Sequence, residues 1–178
     1  MRIELYAGPA AAGGCTYQMA ADAIRLIPRP AELPSYRDPQ DRFQLRYPFG
    51  WAQRQGAAGA DAVFEAAGGT SLLAARLLPS TAAQRSLLTI DPGTLFPAFV
   101  RPGATLSREP IIAHEDEVLA DYTGTSPDGL PVAGAISLVR MNGQIYAGLY
   151  RTDPDRWYTE RGYSYPVVQS MRPPQAAQ

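Results

Sequence analysis

The segment His114-Glu115-Asp116-Glu117 sets a base beside three carboxylates, the densest polar cluster that includes a histidine. Imidazole and carboxylate are donor types that hold divalent cations. Four successive residues at a bend point in different directions, however, and a solvated turn is the competing reading. No metal site is therefore expected, with His114, Glu115, Asp116 and Glu117 as the candidates if one exists. Nucleophilic catalysis has little to work with. The chain holds one histidine and one cysteine, Cys15, which lies far from His114 in sequence. It has no Gly-x-Ser-x-Gly elbow, no phosphate-binding loop and no Gly-x-Gly-x-x-Gly. A lone cysteine also excludes an intrachain disulfide and a cysteine-based zinc site. The expectation is a protein with no catalytic residue and no cofactor.

A second constellation suits recognition better than reaction. Arg151, Arg156, Trp157, Tyr158, Arg161, Tyr163, Tyr165 and Arg172 crowd arginine and aromatic side chains near the C-terminus. These types are enriched at the energetic centres of protein interfaces. Partner contacts are expected at Arg151, Arg156, Trp157, Arg161 and Tyr163, joined by Tyr6 and Tyr17 near the N-terminus. The competing reading is a helix whose aromatics pack on a sheet and whose arginines are solvated. The formal net charge of −1 argues against a nucleic-acid partner, which would need a basic field. All 16 basic residues are arginine, the mark of a GC-rich bacterial genome or of a preference for planar bidentate contacts.

The elements that would carry these residues can be read from periodicity. The 178 residues suit one domain with an extension. Residues 1–35 read as an extended arm: a short strand pattern at Arg2–Tyr6, helical spacing from Tyr17 to Ile27, then Pro28, Pro30 and Pro34. Ala12-Gly13-Gly14-Cys15 faintly resembles a lipoprotein acylation site, but Ala12 stands where such sites favour leucine, and a plain thiol is the expected state. From Phe43 to Tyr47 apolar and polar residues alternate, the pattern of a half-buried strand. Pro48-Phe49-Gly50-Trp51 then turns an aromatic back onto the sheet. Strands are predicted at 61–67 and 71–78 around Gly68-Gly69, and within 104–113, 117–125, 131–141 and 144–151. Asn142-Gly143 joins the last two as a two-residue hairpin. Ser80 and Asp91-Pro92 open short helices. A final helix is predicted over about 156–170, with Trp157, Tyr158, Val167 and Val168 buried and a break near Tyr163. No apolar run is long enough to span a bilayer. Six or seven mostly hairpin-linked strands with helices in the middle and at the end make an α+β protein, an antiparallel sheet covered by helices.

The order of these pieces resembles the PsbP-like family. Its front motif of Phe-x-Leu/Ile-x-Tyr-Pro-x-Gly-Trp is matched by Phe43-Gln44-Leu45-Arg46-Tyr47-Pro48-Phe49-Gly50-Trp51. A strand with Val63-Phe64, a hairpin strand ending Leu149-Tyr150, and Val167-Val168-Gln169-Ser170-Met171 follow in the family's order. The resemblance covers roughly 36–173 and leaves 174–178 as a tail. It implies an α/β/α sandwich and a non-catalytic accessory or assembly subunit. Such a subunit would be peripheral to a membrane on its periplasmic or lumenal side and docked on the protein subunits of a larger bacterial complex, such as a photosynthetic reaction centre. A periplasmic protein binding a small molecule or metal ion is the alternative.

Overall fold

The computed structural model describes residues 33–55, 59–80 and 86–174. Its centre is a hairpin whose two strands are buried on both faces. β9 (Pro131–Met141) and β10 (Gln144–Thr152) pair antiparallel from Gln144↔Met141 to Thr152↔Ala133. Asn142 and Gly143 both take positive φ at their junction, as the two-residue turn requires. These strands are apolar almost throughout, because each side of the sheet is covered.

The sheet grows outward from this pair. β5 (Leu72–Pro79) lies beside β10 and is joined by β4 (Ala62–Glu65) and β3 (Ala52–Arg54); β8 (Glu117–Thr125) lies beside β9. Two short strands, β6 (Thr105–Leu106) and β7 (Ile112–Ala113), share the far edge of β8. The order β3-β4-β5-β10-β9-β8-β6, with β7 also on β8, makes eight strands, all antiparallel. The two-residue edge strands raise the count above the six or seven read from periodicity. They are parted by the irregular stretch Arg108-Glu109-Pro110, and a proline there helps blunt the sheet edge.

Two apolar layers flank this sheet. On one face α2 (Pro154–Val168) packs its Trp157, Val167 and Val168 against Ala133, Ala135, Val139, Tyr146 and Tyr150. On the other face a 3-10 turn (Leu87–Thr89), α1 (Pro92–Leu95) and the chain through Val100 cover Val118, Tyr122, Ile136, Leu138, Ile145 and Leu149. The helix-covered antiparallel sheet is as the residue pattern predicts, although the second cover is mostly irregular. Asp91 secures it: one carboxylate oxygen accepts from the Gly93 N–H (2.8 Å) and the other from the Gly103 N–H (2.6 Å). Asp91→Ala should cost about 1–2 kcal/mol, at the upper end of the range for a lost cap because two donors are orphaned. Urea unfolding followed by far-UV circular dichroism measures it.

Three expectations need correction. The alternating stretch 43–47 does not join the main sheet. Its β2 (Gln44–Arg46) pairs with β1 (Ser35–Arg37) in a separate ribbon, and Gln44 also bridges to Arg172 after α2. Phe43 and Leu45 are still buried, as the alternation requires, in the apolar layer that also holds the end of α2 and the inward side chains of β4. Arg42 ties the ribbon down, pairing with Asp38 (2.8 Å) and with Asp61 at the head of β4 (3.0 Å). The final helix does not break near Tyr163. It starts at Pro154, where a proline fits the first turn, and runs through Gly162 and Pro166, held by its buried face. Tyr158 is not buried: it is 85% exposed.

Candidate functional site

The turn that carries the histidine is exposed, and its acids are directed elsewhere. The His114 N–H donates to the Glu117 carbonyl oxygen at 2.8 Å. Asp116 pairs with Arg140 (3.3 Å) and Glu117 with Arg172 (2.9 Å). His114 and Glu115 are exposed. Among the described residues no three histidine, cysteine or acidic side chains come together as a metal would need. Tyr6, Tyr17 and Cys15 lie outside the described residues.

The arginine and aromatic constellation divides along α2. Trp157, Glu160, Ser164, Val167 and Val168 form its buried face, with spacings of three, four and one residues that keep them on one side. Arg156, Tyr158 and Arg161 are exposed on its first two turns, with Arg156 turned toward Thr70 on one flank and Arg161 toward Asp121 on the other. Trp157 is 8% exposed and packs against the rings of Tyr150 and Tyr165, with centroids 6.3 and 6.1 Å away. Tyr163 is half-buried, its hydroxyl 2.6 Å from that of Tyr150. Arg151 is on the opposite face of the sheet, where it donates to the Phe99 carbonyl. Of the described partner candidates, Arg156 and Arg161 are thus the exposed pair, and Tyr158 is the aromatic that accompanies them.

Beside this helix face is an open cleft of about 420 Å³. α2 lies mainly over β9 and β10, and the cleft opens where parts of β8 and β6 extend beside its first turns. Its floor is polar, with Thr105, Ser107, Asp121 and Thr123; Pro154, Trp157, Tyr158 and Arg161 form its wall. Asp121 ties floor to wall. It pairs with Arg161 at 2.7 Å and accepts the Tyr165 hydroxyl at 2.7 Å. Arg161 also contacts the Tyr165 hydroxyl and lies over that ring, 5.8 Å from its centroid. Burial, then the Asp121 carboxylate, raise the pKa of Tyr165, so it stays a neutral donor in ordinary buffers.

Behind the helix face is a buried polar network that periodicity did not single out. Glu160 is 5% exposed. Its Oε2 accepts from Ser71 Oγ (2.8 Å) and Tyr150 Oη (2.9 Å), and its Oε1 pairs with Arg156 (2.9 Å). Each hydroxyl has one proton, so these bonds settle the rest: Thr152 donates to Ser71 (2.9 Å) and Tyr163 donates to Tyr150. The only sequence signal was the i,i+4 pair Arg156/Glu160. The network fixes the pitch of α2 on the sheet, and so the place of Tyr158 and Arg161.

Burial raises the Tyr150 pKa, reinforced by Tyr163 and Glu160, and burial also raises that of Tyr122. A tyrosine whose folded pKa lies above its unfolded value near 10.0 contributes stability that is intact below that value and lost as pH rises past it. Alkaline titration should therefore show tyrosinate absorbance near 295 nm from these residues appearing together with loss of circular dichroism. Ionisation of every tyrosine while the protein stays folded would contradict the burial.

No protein-family model and no curated protein matches the chain in sequence. Solved structures do match in fold. Cyanobacterial PsbP (CyanoP) of Synechocystis superposes with a TM-score of 0.56 at 18% identity, over 92% of this chain and 99% of that one. The Ran-binding protein Mog1p of Saccharomyces cerevisiae gives 0.53 at 8% identity, over 80% and 95%. LpqN of Mycobacterium tuberculosis gives 0.42 at 11% identity, over 79% and 84%. What the first two share with this chain at these identities is the PsbP-like α+β fold, as the front motif implied. No helix among the described residues is long and apolar enough to cross a membrane.

Proposed function

We propose that this PsbP-like chain is a non-catalytic accessory subunit that docks on the protein subunits of a larger, membrane-associated bacterial complex, a photosynthetic reaction centre being the setting most in keeping with the fold. One observation carries the reading. Tyr158 stands 85% exposed, three residues before Arg161 on the same flank of a helix pinned to the sheet by buried side chains. An exposed aromatic with a planar cation beside it, next to an open cleft, is the composition of an interface centre. A protein that shares the fold, Mog1p, is by its own description Ran-binding, which supports a binding role. The site is peripheral, and the compartment in keeping with it is the periplasmic or lumenal side of the membrane.

Co-fractionation tests this. Affinity-tagged protein expressed in its native host should run with a large complex on native gels after mild detergent extraction of membranes. Tyr158→Ala and Arg161→Ala together should cut the co-migrating fraction at least about tenfold, the loss of one moderate hot spot. A chain that runs as a monomer from native membranes overturns the reading. A small molecule or metal ion retained by that monomer would point to the alternative, a binding protein that uses the cleft.

A further inference from the structure

The aromatic rings beneath α2 form a connected set of oxidisable side chains around one hydroxyl. Tyr150 sits at the centre, with Trp51 at 5.6 Å, Tyr163 at 5.8 Å and Trp157 at 6.3 Å between ring centroids; Tyr165 continues the set from Trp157 at 6.1 Å. Trp51, Tyr163 and Tyr165 are half-buried and reach the surface, while Tyr150 is fully buried. Packing explains the contacts, and edge-on or tilted rings at these distances are ordinary in a core. What sets the Tyr150 phenol apart is its bonding, with its proton pointing at the Glu160 carboxylate 2.9 Å away while Tyr163 donates to its oxygen at 2.6 Å.

The geometry points to Tyr150 as a redox-active tyrosine, the proton-coupled end of a tryptophan and tyrosine relay that takes up one-electron oxidising equivalents arriving at the protein surface. The oxidant is a strong one-electron oxidant, such as a photo-oxidised pigment or an oxidising radical. It removes one electron from Trp51, and the vacancy passes to the adjacent Tyr150 ring. Tyr150 loses one electron to the relay and its phenolic proton to Glu160 Oε2. The products are a neutral phenoxyl radical, a protonated Glu160 and a singly reduced oxidant. An oxidised phenol is a strong acid, so a proton acceptor already in hydrogen-bond contact lowers the cost of oxidation at this ring, as Asp121 does at half-buried Tyr165, and full burial sets Tyr150 apart from both Tyr165 and the exposed Tyr158. The Tyr163 bond survives the step, since a phenoxyl oxygen still accepts. Ser71 and Arg156 keep the carboxylate in place throughout.

Flash oxidation of the purified protein with a ruthenium polypyridyl sensitiser and persulfate, followed by freeze-quench electron paramagnetic resonance, tests the assignment. The wild type should give a long-lived neutral tyrosyl signal. Tyr150→Phe should abolish it, and Tyr158→Phe should leave it unchanged. Glu160→Gln, which retains the side-chain volume but is a far weaker base, should also remove the long-lived signal in protein whose circular dichroism is native. That variant serves if Tyr150→Phe fails to fold. An undiminished signal in folded Tyr150→Phe or Glu160→Gln protein, or one lost in Tyr158→Phe, would overturn the proposal.

Discussion

Gly134→Ala should unfold this protein or come close to it, with a loss of at least about 3 kcal/mol, at the upper end of what overpacking a core costs. Gly134 lies in β9 opposite Tyr122 on one side and Arg151 on the other. A methyl group there would sit 1.8 Å from the Tyr150 carbonyl oxygen and 3.0 Å from the edge of the Tyr122 ring. The first obstacle is backbone in the middle of the sheet, which cannot turn aside as a side chain could. The second is Tyr122, fully buried, whose hydroxyl donates to that same Tyr150 carbonyl at 3.2 Å. Relief would require β9 and β10 to part where both are covered. The midpoint in urea, with the slope checked for a two-state transition, gives the value. A loss below about 1 kcal/mol would mean the close approach of β9 and β10 at this point is wrong.

Glu160→Ala is expected to cost about 3 kcal/mol, because each buried donor left without a partner costs about 1–3 kcal/mol. Removing the carboxylate orphans the Ser71 and Tyr150 hydroxyls, and through Ser71 disturbs Thr152. Arg156 contributes less to this sum: its side chain is 48% exposed and can turn to water. Glu160→Gln should cost only about 1–2 kcal/mol, since the amide oxygen still accepts two hydrogen bonds and the volume is filled. The order of the two variants separates a satisfied polar network from simple loss of contact. Equal losses would show that the hydrogen bonds contribute nothing beyond packing. Because the network sets the seating of α2, both variants should also weaken docking through Tyr158 more than an equally destabilising change at the far side of the sheet.

Local patterning made the heart of the fold legible. β8, β9 and β10 lie where alternation and Asn142-Gly143 put them, since a hairpin is decided by its own turn and its own periodicity. The ribbon of β1 and β2 was not legible, because Phe43, Leu45 and Tyr47 show which face is buried but not which strand lies alongside. The helix differs for another reason. Its inward face includes Glu160 and Ser164, so an apolar count over 154–168 has no clear stripe to find, and Tyr158 looks as suited to the core as Trp157. Only the receiving surface, with Ser71, Thr152 and Tyr150 offering hydroxyls, shows why a carboxylate belongs inside. The candidate site inherits that uncertainty. The arginine and aromatic crowding falls mostly on one helix, and one helical position separates its exposed aromatic from its buried one.

The docking face is tested most directly by a photo-crosslinking amino acid placed in turn at Tyr158 and at Met141, the latter exposed at the β9–β10 turn away from the start of α2. Illumination in native membranes should join the chain to one defined subunit from position 158 and give little or no adduct from position 141. Equal yields from the two positions, or adducts from 141 alone, would contradict an account in which the outer face of α2 is where this protein meets its complex.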